Sequence, residues 1–71
     1  MTPKEQKVLD FIRAYIEEAG YPPTRREIAL ACGFGSTSTV NRLLWSLVNK
    51  GHIKIPLPTS SRAIQIVEEA S

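Results

Sequence analysis

The chain has one cysteine and one histidine among its 71 residues, and that scarcity removes several kinds of chemistry together. A lone thiol forms no internal disulfide, and Cys32 with His52 provides too few ligands for a Cys/His zinc site. The two residues lie in different elements with no carboxylate beside either, so no nucleophile–base pair is legible. Gly33-Phe34-Gly35 lacks the rest of a phosphate-binding loop. No catalytic residue, cofactor or metal is therefore expected, and no small-molecule ligand is evident. No apolar run approaches the roughly 20 residues of a membrane span. No signal peptide opens the chain either, because Lys4–Ile16 alternates charged and apolar residues. Cys32 is expected to be a buried thiol in a cytoplasmic protein. A chain of this length is read as one domain, 1–71, and buries only about 60% of its unfolded surface. That leaves no room for a catalytic cleft beside a core.

Acidic residues are missing from the middle of the chain. All seven lie in Glu5–Glu27 or at Glu68 and Glu69. Between Ile28 and Val67 there is no Asp or Glu, while Arg42, Lys50, Lys54 and Arg62 are present. Residues 1–27 balance: Lys4, Lys7, Arg13, Arg25 and Arg26 match five acids. The net charge of +2 thus hides a neutral support and a purely cationic remainder, and a surface without acids suits a polyanion.

The acid-free part contains the stretch around which the chain is organised, Thr24–Gly51. Thr24 with Glu27 is a capping box, and Pro22-Pro23 forbids helix before it. Ile28, Ala31 and Cys32 are expected to share the inner face of a short helix over 25–32. Gly33 can end that helix, Phe34 plugs the core, Gly35 gives a second flexible position, and Ser36 is an N-cap for the next helix. That helix spans about 37–50 and is closed by Gly51. At about 100° per residue, Val40, Leu43, Leu44, Leu47 and Val48 form one stripe. Ser38, Asn41, Arg42, Trp45, Ser46 and Asn49 fall opposite. A solvated helix face would mix Glu, Lys and Asp. This face has amides, hydroxyls and a guanidinium, which suit base edges and phosphates. Two helices joined by a short glycine turn form the helix-turn-helix of DNA readers.

The rest of the chain reads as support for that helix. Thr2-Pro3-Lys4-Glu5 is another capping box with proline at the first helical position. It opens a helix over 3–19 in which Val8, Leu9, Phe11, Ile12, Tyr15, Ile16 and Ala19 make the main wall of the core. Gly20 ends it, and Tyr21 is expected to pack against it. After Gly51 the pattern turns to period two, in 52–55 and 63–67, around a loop containing Pro56 and Pro58. Ile53, Ile55, Ile64 and Ile66 can face the helices together. A hairpin following a helix-turn-helix is a wing. The fold expected is α+β, mostly α: a winged helix-turn-helix, three helices followed by a two-stranded β-hairpin. Lys54, Thr59, Ser60, Ser61 and Arg62 can then reach the backbone or minor groove. For Arg62 this requires the strand to start after it. Glu68–Ser71 is expected to be a frayed acidic end.

Tyr21-Pro-Pro-Thr-Arg-Arg-Glu-Ile-Ala, Cys32-Gly-Phe-Gly-Ser, Lys50-Gly-His-Ile-Lys-Ile and Ser61-Arg-Ala-Ile together resemble the amino-terminal domain of the LexA repressor family over nearly the whole chain. The resemblance implies a winged helix-turn-helix that binds duplex DNA at a palindromic operator of DNA-damage-response genes, with a homodimer as partner. It assigns base reading to Ser36, Ser38, Thr39, Asn41 and Arg42. Backbone contacts are expected from Thr24, Arg25, Arg26, Thr37 and Trp45, and from Lys54, Ser60, Ser61 and Arg62 on the wing. The family has two successive glutamates where this chain has Asn41 and Arg42, so a different target sequence is expected. It also continues into a second domain that dimerises and cuts its own chain with a Ser–Lys pair. Nothing follows Ser71 in the sequence as given, so self-cleavage is not expected of it. The chain reads either as a piece of a longer protein or as a free-standing relative such as a phage or mobile-element regulator.

The main rival is a winged helix that docks proteins, since fold does not set function. An exposed Trp45 favours it as an interface anchor, and partial burial of Trp45 under the wing is the plainer reading. Duplex RNA fits less well, because an A-form major groove does not admit a helix.

Overall fold

The computed structural model describes residues 2–56 and 63–67. Three helices come first: α1 over Pro3–Ala19, α2 over Arg25–Cys32 and α3 over Thr37–Asn49. Two short strands follow, β1 over Ile53–Lys54 and β2 over Gln65–Ile66, paired antiparallel with Ile53 opposite Ile66 and Lys54 opposite Gln65. The three helices pack pairwise on one another and β1 packs on α3. This is the winged helix-turn-helix expected from the sequence, with shorter strands than the alternation suggested.

Local chemistry sets the helix starts. In α1 the Glu5 amide donates to Thr2 Oγ1 at 3.2 Å, and the Thr2 amide donates to Glu5 Oε1 at 2.9 Å. Thr24 and Glu27 repeat the reciprocal pair at 3.1 and 2.8 Å. Each box satisfies two backbone donors that the first turn would otherwise leave free. Ser36 departs from this pattern. It holds the N-cap position of α3 with extended backbone, but its side chain makes no capping bond. The turn between α2 and α3 is closed by Gly33 at φ 78°, a left-handed conformation that costs a residue with a Cβ about 1–2 kcal/mol. The Phe34 amide donates to the Ala29 carbonyl at 2.8 Å, which brings the Phe34 ring against the core.

The core is one cluster: Val8, Leu9 and Ile12 of α1, Ile28, Ala29 and Cys32 of α2, Val40, Leu44 and Leu47 of α3, and Ile53 and Ile64 of the wing. Ile53 and Ile64 are 1% and 2% exposed, and their burial attaches a hairpin too small to be stable alone. Ile55 and Ile66 pack at the edge of this cluster. Tyr21 lies against α1, its ring 5.9 Å edge-on from Tyr15. On α2 the inner face differs from expectation: Ala31 is exposed and Ala29 is buried in its place. On α1, Ala19 is exposed, while Phe11, Tyr15 and Ile16 are half-buried.

One feature of the core is polar. Glu5 is 2% exposed. Its carboxylate accepts from Lys50 Nζ at 2.8 and 3.0 Å and from the Ser46 hydroxyl. This joins the first turn of α1 to the last turn of α3. The Lys50 ammonium first, then the Ser46 hydroxyl and the Thr2 backbone bond, hold the Glu5 carboxyl well below the usual carboxylate range. Two sequence-based placements change as a result. Ser46 is half-buried against α1 instead of lying on the outer face of α3. Lys50 stays exposed, but its charge is paired with the Glu5 carboxylate.

Candidate nucleic-acid interface

The outer face of α3 is built by exclusion. Val40, Leu44 and Leu47 are fully buried, Leu43 and Val48 half-buried, and Ser46 is turned to Glu5, so the remaining side chains of the helix point away from the core. Ser36, Thr37, Ser38, Asn41, Arg42 and Asn49 are exposed, and Thr39 is half-buried at the edge. Trp45 is 40% exposed. α3 carries no acid, since none occurs between Ile28 and Val67, and among the described residues Glu5 is turned inward under Ser46 and Lys50. Lys54 is exposed on β1.

The N-terminus of α2 contributes to the same side. Arg25 Nε donates to Asn41 Oδ1 at 2.9 Å, linking the first residue of α2 to the middle of α3. Arg26 beside it is exposed. Thr24 is half-buried, and its side-chain oxygen accepts the capping bond from the Glu27 amide. Tyr15 Oη donates to Glu27 Oε2 at 2.9 Å and ties this end of α2 back to α1. The α2 N-terminus is therefore hydrogen-bonded both to the polar face of α3 and to α1.

Of the residues singled out in the sequence, Ser36, Thr37, Ser38, Thr39, Asn41, Arg42 and Trp45 lie along α3 or at its start, and Thr24, Arg25 and Arg26 at the start of α2. Thr59, Ser60, Ser61 and Arg62 lie outside the described residues, as does the acidic end 68–71. The Arg25–Asn41 bond joins residues sixteen apart in sequence. Only the crossing of α2 over α3 reveals it. Glu5 was more accessible to sequence reasoning. It stands with Val8, Leu9 and Ile12 at the spacing of one helix face, so the capping role was not its only one.

Other places offer less. Cys32 is buried, and burial pushes its thiol up, partly countered by Lys7, the reverse of what activates a nucleophile. A groove of about 550 Å³ lies between the end of α1, the Tyr21-Pro22 connector and β2, lined among others by Arg13, Ile16, Tyr21 and Ile64. No residue of α3 lines it. Among the described residues there is no cluster of metal-ligating side chains, and no helix is long and apolar enough to cross a membrane.

A helix-turn-helix braced by a third helix, with a hairpin packed on its second helix and an acid-free outer face, defines a winged helix-turn-helix of the nucleic-acid-binding class. Comparison with known proteins narrows the class: residues 1–63 match the family described as LexA DNA binding domain, and the chain belongs to that family. It is 47% identical over 68 residues to the LexA repressor of Ruminiclostridium cellulolyticum, a span of 96% of this chain and 31% of that protein. It is 46% identical over 69 residues to the LexA repressors of Bacillus thuringiensis and Bacillus anthracis, spanning 97% of this chain and 33% of each. The chain thus spans about a third of the length of these relatives.

Proposed function

We propose that the chain is the DNA-reading domain of a transcriptional repressor, acting as a single winged-helix unit with α3 in the major groove of duplex DNA. The observation that carries this is the division of α3. Val40, Leu44 and Leu47 of its inner stripe are fully buried, and its outer face offers Ser38, Asn41 and Arg42 to solvent with no acid in the helix. Base reading falls to Ser36, Ser38, Thr39, Asn41 and Arg42. Ser36 is favoured by having no capping duty, which leaves its hydroxyl for a base or phosphate. Backbone contacts fall to Arg25, Arg26, Thr37, Trp45 and Lys54, and to Ser60, Ser61 and Arg62 at the wing tip. Thr24 can contribute only its hydroxyl hydrogen, because its oxygen caps α2. The relatives' name supports repression, and two copies on a palindromic site in the cytoplasm complete the reading.

The test is fluorescence anisotropy with duplex DNA across a range of salt. With Lys50 already paired, three to four neutralised phosphates give a slope of log K against log salt of about −3 to −4. Lys54→Ala should flatten it by about one unit on every sequence. Binding that ignores salt would exclude the proposed mode. The exposure of Trp45 favours protein docking as the second reading. In that case Trp45→Ala would abolish capture of a protein partner and leave duplex binding unchanged.

A further inference from the structure

We infer that Arg25 is a positioning residue for base selection: its guanidinium holds the Asn41 amide so that Asn41 presents only hydrogen-bond donors to the groove. The inference rests on the DNA-reading proposal and specifies the chemistry of one of its residues.

The geometry is a single bond with chemical consequences. Arg25 Nε donates to Asn41 Oδ1 at 2.9 Å. A guanidinium has donors only, so the atom it meets must be the amide oxygen, and this settles which way the amide is turned. The carboxamide nitrogen then faces away from Arg25 with both hydrogens uncommitted. A free asparagine pairs with adenine by accepting from N6 and donating to N7. Here a second donor approaching Oδ1 meets the positive charge of the guanidinium already bound there. The adenine N6 amino group is such a donor. Guanine presents two acceptors, O6 and N7, on its major-groove edge. Asn41 Nδ2 carries two donor hydrogens and matches that edge. Arg25 is anchored for the task at the first position of α2, immediately after a capping box that fixes the helix start. The nearest acid in sequence, Glu27, accepts from the Thr24 amide and from the Tyr15 hydroxyl.

The consequence is a preference that Asn41 alone would not have. At the base pair facing Asn41, the chain should favour guanine over adenine by about tenfold, the scale of one good side-chain–base pairing. The experiment is selection of bound duplexes from a random pool with the 71-residue chain, followed by competition between two duplexes differing only at that base pair. The position is identified as the one where Asn41→Ala loses its preference. Arg25→Ala should release Oδ1 and move the ratio toward adenine by about tenfold or more. Arg26→Ala removes an equal charge from the next residue without touching Asn41, and should weaken both duplexes alike. In the Asn41→Ala background, Arg25→Ala should no longer alter the ratio. Where Arg25→Ala binds too weakly for selection, the two-duplex competition at low salt reads the same ratio.

The inference is overturned by wild-type preference for adenine at that position, by a ratio indifferent to Arg25→Ala, or by an equal shift in Arg26→Ala. Each of these leaves duplex binding and the DNA-reading proposal standing. Failure of the wild-type chain to bind any duplex overturns both.

Discussion

Leu44→Ala tests the division of α3 on which the functional reading depends. Leu44 is fully buried in the middle of α3, between Val40 and Leu47, in a cluster drawn from all three helices and the wing. Truncation removes the buried branched end of the side chain. The walls cannot close readily, because each belongs to an element fixed elsewhere in the same cluster. The cost of such a deletion is about 2–5 kcal/mol. At roughly 0.05–0.15 kcal/mol per residue, the whole chain has about 4–11 kcal/mol of stability. The variant should therefore lose a large part of it. For a domain of this size each kcal/mol moves Tm by roughly 4–8 °C, so a loss near 3 kcal/mol lowers it by about 12–24 °C. Leu30→Ala is the matched control. It deletes the same atoms from a side chain 77% exposed on α2, and should stay within about 0.5 kcal/mol of wild type. Thermal melts followed by far-UV circular dichroism, with urea titrations to check that the m-value is unchanged, measure both. Equal shifts in the two variants, or a Leu44→Ala Tm within a few degrees of wild type, would refute the assignment of the inner face and the outer face defined from it.

Arg42→Ala should cost about 1–3 kcal/mol on the preferred duplex, much less on random DNA, and nothing in Tm, since Arg42 is exposed; an equal loss on all sequences would make it a phosphate contact. The Glu5 carboxyl has a folded pKa below its ordinary value of 4.5. Its contribution is complete above that value and is lost as pH falls below it toward the folded pKa. Tm should fall below about pH 4.5 in wild type, and Glu5→Gln should flatten that fall; parallel profiles would place the acid sensitivity elsewhere. Gly33→Ala should destabilise by about 1–2 kcal/mol because φ is 78° there. Gly35→Ala, where φ is not positive and a Cβ would meet nothing within 4 Å, should be neutral or stabilise by up to about 1 kcal/mol. Urea titrations separate the two, and equal losses would contradict the turn geometry.

Much of this molecule was set by local chemistry that a single chain displays. The capping boxes at Thr2–Glu5 and Thr24–Glu27 and the glycines at the helix ends are interactions within a few residues, so their spacing marks the element starts and stops. The stripe Val40, Leu44, Leu47 and the alternation about Ile53 and Ile64 gave the inner faces, because burial follows periodicity when one face meets a core. Tertiary structure decided what depends on two elements meeting. The helix crossing turned Ala29 inward and Ala31 outward. Packing of α1 on α3 took Ser46 from the outer face and committed it, with Lys50, to Glu5, although Leu43, Ser46, Leu47 and Lys50 do share a helix face by spacing. Periodicity gives the direction of a side chain but not its partner. The same limit hid the Arg25–Asn41 bond: a hydrogen bond needs placement to a few tenths of an ångström, and only the packed core supplies it between residues so far apart in the chain.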